Sequence, residues 1–220
     1  MIFHDRRDAG RKLGLVIRNL ESLRDRRQVV VLAIPRGGVP VGAEVARALD
    51  APLDVWLAHK IGAPGNPEFA IGSISINGEV FFDRSSIDLL GIPEAYLKEE
   101  ARIQAAELAR RMTLFRGHAE PLNVRGKKVV LVDDGIATGA TAFSALASLQ
   151  RAGAARRILA VPVAPRETVP RLEAAADEAV ILDTPHGFAS VGQFYVHFEQ
   201  VPDEEVVQLL AQARHGREPT

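Results

Sequence analysis

The sequence predicts an α/β protein: a doubly wound, mainly parallel sheet flanked by helices, with an antiparallel ribbon to one side. Three observations carry this. Two runs of β-favouring apolar residues, 28–34 and 129–132, are continuous rather than alternating, the pattern of strands buried on both faces. Each run ends at a glycine-containing turn that opens a helix. Two later apolar runs, 157–163 and 178–183, are separated by a short helical pattern, which extends the alternation of strands and helices. With 220 residues, 47% of them hydrophobic, the chain can bury one substantial core. A single domain over 1–220 is the expectation, with its core at about 28–183.

Taken in order, the chain opens with Asp5 as an N-cap and with Leu13, Ile17, Leu20 and Leu23 at helical spacing, so an amphipathic helix is expected within 5–27. Arg6, Arg7, Arg11 and Lys12 read as its solvated side. The strand at 28–34 runs into Pro35-Arg36-Gly37-Gly38-Val39-Pro40, followed by a helix from about 41 to 49. The next strand, 52–58, delivers His59 and Lys60. Residues 62–68 are rich in Gly, Pro and Asn and read as a mobile loop, in which Glu68 is a candidate general base. Residues 71–76 alternate at period two, Asn77-Gly78 is a two-residue turn signal, and 79–82 completes a hairpin.

The longest helical pattern, 93–115, has Tyr96, Ile103, Leu108 and Met112 on its more apolar side, and Pro121 and Gly126 then break the chain. Beyond the strand at 129–132, Phe143, Leu146 and Leu149 mark the inner face of a helix ending at Gly153. A short helix at about 166–176 links the last two strands. Residues 184–198 mix turn residues with Phe188, Phe194, Tyr195 and Phe198, and a helix at 202–214 follows.

Composition excludes several classes of function. A net charge of −1 and a pI near 6.6 give no overall basic field, so nucleic acid is not an expected partner. Zero cysteines rule out disulfides and thiolate metal sites and fit a reducing cytoplasm. The longest apolar runs are too short to span a bilayer, and residues 1–6 lack the apolar core of a signal peptide, so a cytoplasmic protein without a membrane partner is expected. His186 and His197 have no metal-ligand spacing, and no metal site is assigned.

The chemistry concentrates at Val129-Val130-Leu131-Val132-Asp133-Asp134-Gly135-Ile136-Ala137-Thr138-Gly139-Ala140-Thr141. A helix N-terminus offers unpaired N–H groups and partial positive charge, so the turn from Ala137 to Thr141 can wrap a phosphate monoester, with the hydroxyls of Thr138 and Thr141 as further donors. Asp133 and Asp134, at the strand tip, can accept from vicinal hydroxyls or reach a hydrated cation. A sugar phosphate satisfies both halves. A strand ending in two acids also occurs as the metal-binding strand of P-loop nucleotidases, but no G-x-x-x-x-G-K-[ST] or G-x-G-x-x-G is present. The Pro35–Gly38 turn is a second anion candidate, through open glycine amides and the Arg36 fork.

Across 129–141 the chain resembles the type I phosphoribosyltransferase family, whose signature is an apolar strand, two acids, two variable residues and a Thr-Gly-x-Thr loop. The resemblance implies that Ala137, Thr138, Gly139, Ala140 and Thr141 hold the 5′-phosphate of phosphoribosyl pyrophosphate (PRPP), and that Asp133 and Asp134 hold the ribose hydroxyls. It further implies that Arg36, Gly37 and Gly38 bind pyrophosphate, with a non-proline cis peptide within the turn, and that Lys60 lies beside the pyrophosphate. The loop and ribbon at about 61–83 would close over PRPP, and a hood at about 184–200 would select an aromatic nitrogen base through Phe188, Phe194 or Tyr195. Mg2+ would bridge ligand oxygens, and homodimers are common in that family. The implied reaction is phosphoribosyl transfer to a nitrogen base with loss of pyrophosphate. Ala137 stands where 6-oxopurine enzymes usually carry an Asp, so a loop carboxylate acting on the base is excluded; the loop is closer in form to adenine and several other members, and the acceptor base stays open. Two alternatives stand beside it: a PRPP-binding regulator without turnover, and a sugar-phosphate or nucleotide phosphohydrolase using Asp133 on a metal.

Overall fold

The computed structural model describes residues 1–76, 78, 80–117 and 123–215, apart from the side chains of Pro67, Glu68 and His215. Five strands, β1 (Val29–Ala33), β2 (Leu53–Val55), β6 (Lys128–Val132), β7 (Arg156–Val163) and β8 (Glu178–Asp183), form one all-parallel sheet in the order β2-β1-β6-β7-β8. In register, Val30 pairs with Val129 and Val129 with Arg157. β1 and β6 are central, and their apolar residues from Val29 and Val129 onward are buried, as continuous Val/Leu runs require when helices cover both faces. α1 (Arg6–Ile17), α2 (Gly38–Leu49), α5 (Ala140–Arg151), α6 (Val169–Ala175) and α7 (Asp203–His215) flank this sheet.

The second sheet is the ribbon: β3 (Ala58–Ala63), β4 (Asn66–Ser75) and β5 (Val80–Phe82), antiparallel in that order. The expected strand at 52–58 is therefore two elements. β2 stops at Val55, where the Trp56 amide donates to the Ala33 carbonyl (3.0 Å) and the buried indole donates to Ser148 Oγ (2.8 Å). That anchor turns the chain out of the parallel sheet and into the ribbon. The expected mobile loop at 62–68 is a hairpin: Pro64 and Gly65 make the turn, with Gly65 at φ 72°, and Ala63 pairs with Asn66. The breaker residues there act within two positions, and register shifts at Ile61/Gly62 and Gly62/Ala63 absorb the irregularity. Asn77 and Glu79 of the second predicted hairpin, and Pro121, lie outside the described residues.

The first helix ends at Ile17, and a separate 3-10 turn at Glu21–Leu23 buries Leu23. Asp5 caps it as expected, accepting from the Asp8 amide (2.7 Å). α3 (Arg84–Leu90), capped by Asp83, was not evident in the sequence pattern. α4 (Glu94–Arg116) carries the chain back from the ribbon and is fixed at its end by the buried ion pair Arg116–Asp54 (3.1 Å). No described helix is long and apolar enough to cross a membrane.

Candidate active site

The carboxyl ends of β1 and β6 place two turns side by side, where open α/β sheets bind ligands. β6 ends at Val132, Asp133 and Asp134 follow, and the Ile136 amide ties the next turn to β7 by donating to the Val163 carbonyl (2.9 Å). Gly139 then takes φ 80°, a left-handed conformation that aims the following amides outward as α5 begins. Among the described residues, the amides of Ala137, Thr138, Gly139 and Thr141 have no hydrogen-bond acceptor, and Ala140 N makes only a 3.5 Å contact with Thr138 Oγ1. Ala137, Thr138, Ala140 and Thr141 are exposed. The turn is an open donor cradle at a helix N-terminus, the arrangement that takes a phosphate.

The aspartates differ from each other. Asp133 Oδ1 accepts from the Asp134 amide (2.9 Å). Asp134 Oδ2 accepts from Arg6 Nε (2.7 Å), and both side chains are largely buried, 14% and 11% exposed. Burial, then the charge of Asp134, pushes the Asp133 carboxyl well above its ordinary value. Burial also raises Asp134, against the lowering effect of the Arg6 hydrogen bond and charge. Arg6 is itself fixed by the Glu199 carbonyl (2.8 Å) and by the Phe198 ring, 3.9 Å from its guanidinium carbon to the centroid. The reading of Arg6 as solvated is thereby corrected. At the first position of α1 it reaches the carboxyl end of the middle strand β6, while Arg7 and Arg11 stay exposed.

The Pro35–Gly38 turn interlocks with the aspartates. Its cis peptide is Pro35–Arg36. A Cβ at Gly37 would overlap the Asp134 carboxylate, and one at Gly38 would stand 2.8 Å from the Val132 carbonyl oxygen, so close approach explains both glycines. The expectation of two open glycine amides is corrected at Gly38, whose N–H donates to the Ile34 carbonyl (3.0 Å) because α2 starts there. Arg36 Nη1 lies 3.5 Å from Asp203 Oδ1.

Lys60 sits on β3, opposite Ser73, rather than at a parallel strand end. It lines a cleft of about 450 Å³ with His59, Glu100, Gln104, Thr141 and Ser144, which brings the ribbon to the flank of the amide cradle. His59 Nδ1 lies 3.0 Å from Gln104 Oε1, and burial holds the imidazole below its ordinary pKa. In the hood, Phe194 and Tyr195 are buried in a satellite cluster with Phe3, and Phe188 stacks on Phe194 at 5.3 Å. Tyr195 donates its hydroxyl to the Asp134 carbonyl (2.5 Å), and burial followed by the Asp134 charge keeps that hydroxyl protonated. The side chain of Glu68 lies outside the described residues. Among the described residues no three His, Asp or Glu side chains converge on a metal site.

A parallel sheet with a small antiparallel ribbon, a donor cradle and two acids at one strand tip defines the type I phosphoribosyltransferase class. The chain belongs to the phosphoribosyl transferase domain family, whose model matches residues 8–192. Two Mycobacterium tuberculosis proteins, from two strains and provisionally named phosphoribosyl transferases, are each 42% identical over 212 residues, covering 96% of this chain. The chain spans 47% of the length of these curated relatives. The crystal structure of TT1426 from Thermus thermophilus is 42% identical, with a TM-score of 0.84 over 96% of this chain and 99% of that one.

Proposed function

We propose that the protein transfers the 5-phosphoribosyl group of PRPP to an aromatic nitrogen base and releases pyrophosphate. The observation that carries the reading is the open amide cradle at 137–141 abutting the acid pair, which matches a phosphate joined to a vicinal diol. The C1–O bond to pyrophosphate breaks with its electron pair leaving on pyrophosphate, a base nitrogen bonds to C1, and that nitrogen's proton passes to solvent or a nearby acceptor.

In this reading residues 137–141 fix the 5′-phosphate, and Asp133 and Asp134 accept from the ribose hydroxyls. Gly37, Gly38 and Arg36 border the pyrophosphate, and Lys60 approaches from the ribbon. Of the three candidate base-binding rings, Phe188 is the one that is not buried, since Phe194 and Tyr195 are. Two carboxylates at one strand tip fit Mg2+ held mainly by ligand oxygens and water, and they do not fit a full protein cage. When bound, the ion would neutralise charge on the leaving pyrophosphate.

The test is pyrophosphate release from PRPP against a panel of purines, pyrimidines and small amines. One or more bases should support release, and Thr138→Ala with Thr141→Ala should cut kcat/KM at least tenfold. Silence across the panel, with no binding of ribose 5-phosphate, would remove the assignment. The Arg6–Asp134 ion pair favours a second reading, a PRPP-binding regulator, because a guanidinium already occupies one of the diol acceptors. Ligand-dependent thermal stabilisation without product would mark it.

A further inference from the structure

We propose that Arg110 and Arg111 of α4 form, with Arg36, a second wall of the pyrophosphate site and hold the pyrophosphoryl group of PRPP or free inorganic pyrophosphate. The inference rests on the transferase reading for its ligand, and on geometry of its own. The glycines of the Pro35–Gly38 turn lie against the aspartates, and the neighbouring Arg36 reaches Asp203 at the start of α7. There a cavity of about 260 Å³ is lined by Pro35, Arg36, Arg110, Arg111, Phe115 and Asp203. Three guanidiniums thus reach one cavity from two elements distant in sequence.

Charge sets the ligand class. Glu107 accepts from both Arg110 Nε and Arg111 Nε at 2.8 Å, and Arg36 Nη1 lies 3.5 Å from Asp203 Oδ1. Three cations against these two carboxylates leave the wall net positive, with most of the five N–H donors on each guanidinium unspent. Glu107 fixes both α4 forks from one turn away, so they are ordered before a ligand arrives. The long Arg36–Asp203 contact is the weakest of the set and the one an incoming anion would replace. A pyrophosphoryl group carries charge at two phosphorus centres, which suits forks presented from two sides, whereas one phosphate needs only one fork. The side chains of Arg36, Arg110 and Arg111 are 37%, 63% and 44% exposed, so binding should weaken steeply with salt.

The test is calorimetric binding of inorganic pyrophosphate, PRPP, inorganic phosphate and ribose 5-phosphate to the full chain at low salt. R110Q/R111Q should weaken pyrophosphate at least tenfold while ribose 5-phosphate moves less than twofold. R102Q, which breaks an exposed Arg102–Glu99 pair elsewhere on α4, should change neither. Equal loss for PRPP assigns the site to the substrate's pyrophosphoryl group, and loss for free pyrophosphate alone assigns it to the released product. A change under twofold in R110Q/R111Q, an equal loss in R102Q, or phosphate binding as tightly as pyrophosphate would overturn the proposal. Wild-type binding of pyrophosphate without ribose 5-phosphate would sink the transferase reading and leave the arginine site standing.

Discussion

At the scale of single residues, the Arg6–Asp134 pair governs how the acid pair titrates. Asp133 and Asp134 both have carboxyl values raised by burial, so their contribution to stability is full below the ordinary carboxylate range and is lost as pH rises through the raised values. Arg6 limits that loss by stabilising ionised Asp134. Arg6→Ala leaves a buried carboxylate unpaired and should cost about 3–5 kcal/mol at pH 8, because breaking one side of a buried pair removes the attraction and keeps the desolvation. At pH 5 a larger share of Asp134 is protonated in the variant, so the cost should shrink. Urea unfolding at both pH values checks this, and a penalty independent of pH would contradict the titration argument. The sequence displayed Asp133, Asp134 and the Thr-Gly-Ala-Thr turn because their chemistry is local. It could not display Arg6, whose partner lies 128 positions away and whose neighbouring basic residues Arg7 and Arg11 are exposed.

At the scale of elements, the two turns of the site are held together by missing side chains. Gly37→Ala would drive a Cβ onto the Asp134 carboxylate, which Arg6 prevents from swinging aside. Overpacking of this kind costs about 1–3 kcal/mol and should displace the carboxylate proposed to accept from the ribose hydroxyls. Gly65→Ala is the matching control: nothing lies within 4 Å of its new Cβ, but φ 72° makes the substitution cost about 1–2 kcal/mol through backbone strain. Both variants should lose stability in chemical denaturation, and only Gly37→Ala should weaken ribose 5-phosphate, by tenfold or more. Equal affinities in the two variants would mean that the turns are not coupled through Asp134. The strand-and-helix alternation was legible because buried parallel strands leave continuous apolar runs. The ribbon was only half legible, since Gly, Pro and Asn mark a tight hairpin and an open loop with the same letters.

At the scale of the whole molecule, the segment before α1 and the hood behave as one structural unit resting on the acid pair. Phe3 donates its amide to the Phe194 carbonyl (2.8 Å) and accepts from the Val196 amide (2.9 Å), a single parallel bridge with no periodicity to betray it in sequence. Its fully buried ring lies 5.4 Å from that of Tyr195, whose hydroxyl holds the Asp134 carbonyl. Phe3→Ala opens a cavity in this small cluster and should cost about 3–5 kcal/mol, toward the lower end if the hood collapses onto it. The same change removes the packing that seats Tyr195, so ribose 5-phosphate affinity should fall at least threefold at temperatures far below unfolding, although Phe3 lines neither the cradle nor the turn. Phe3→Leu refills most of the volume and should recover most of the affinity. Calorimetric titration of both variants, read beside their denaturation curves, separates the effects. A Phe3→Ala protein that is destabilised yet binds as wild type would show that the hood covers the site without supporting it.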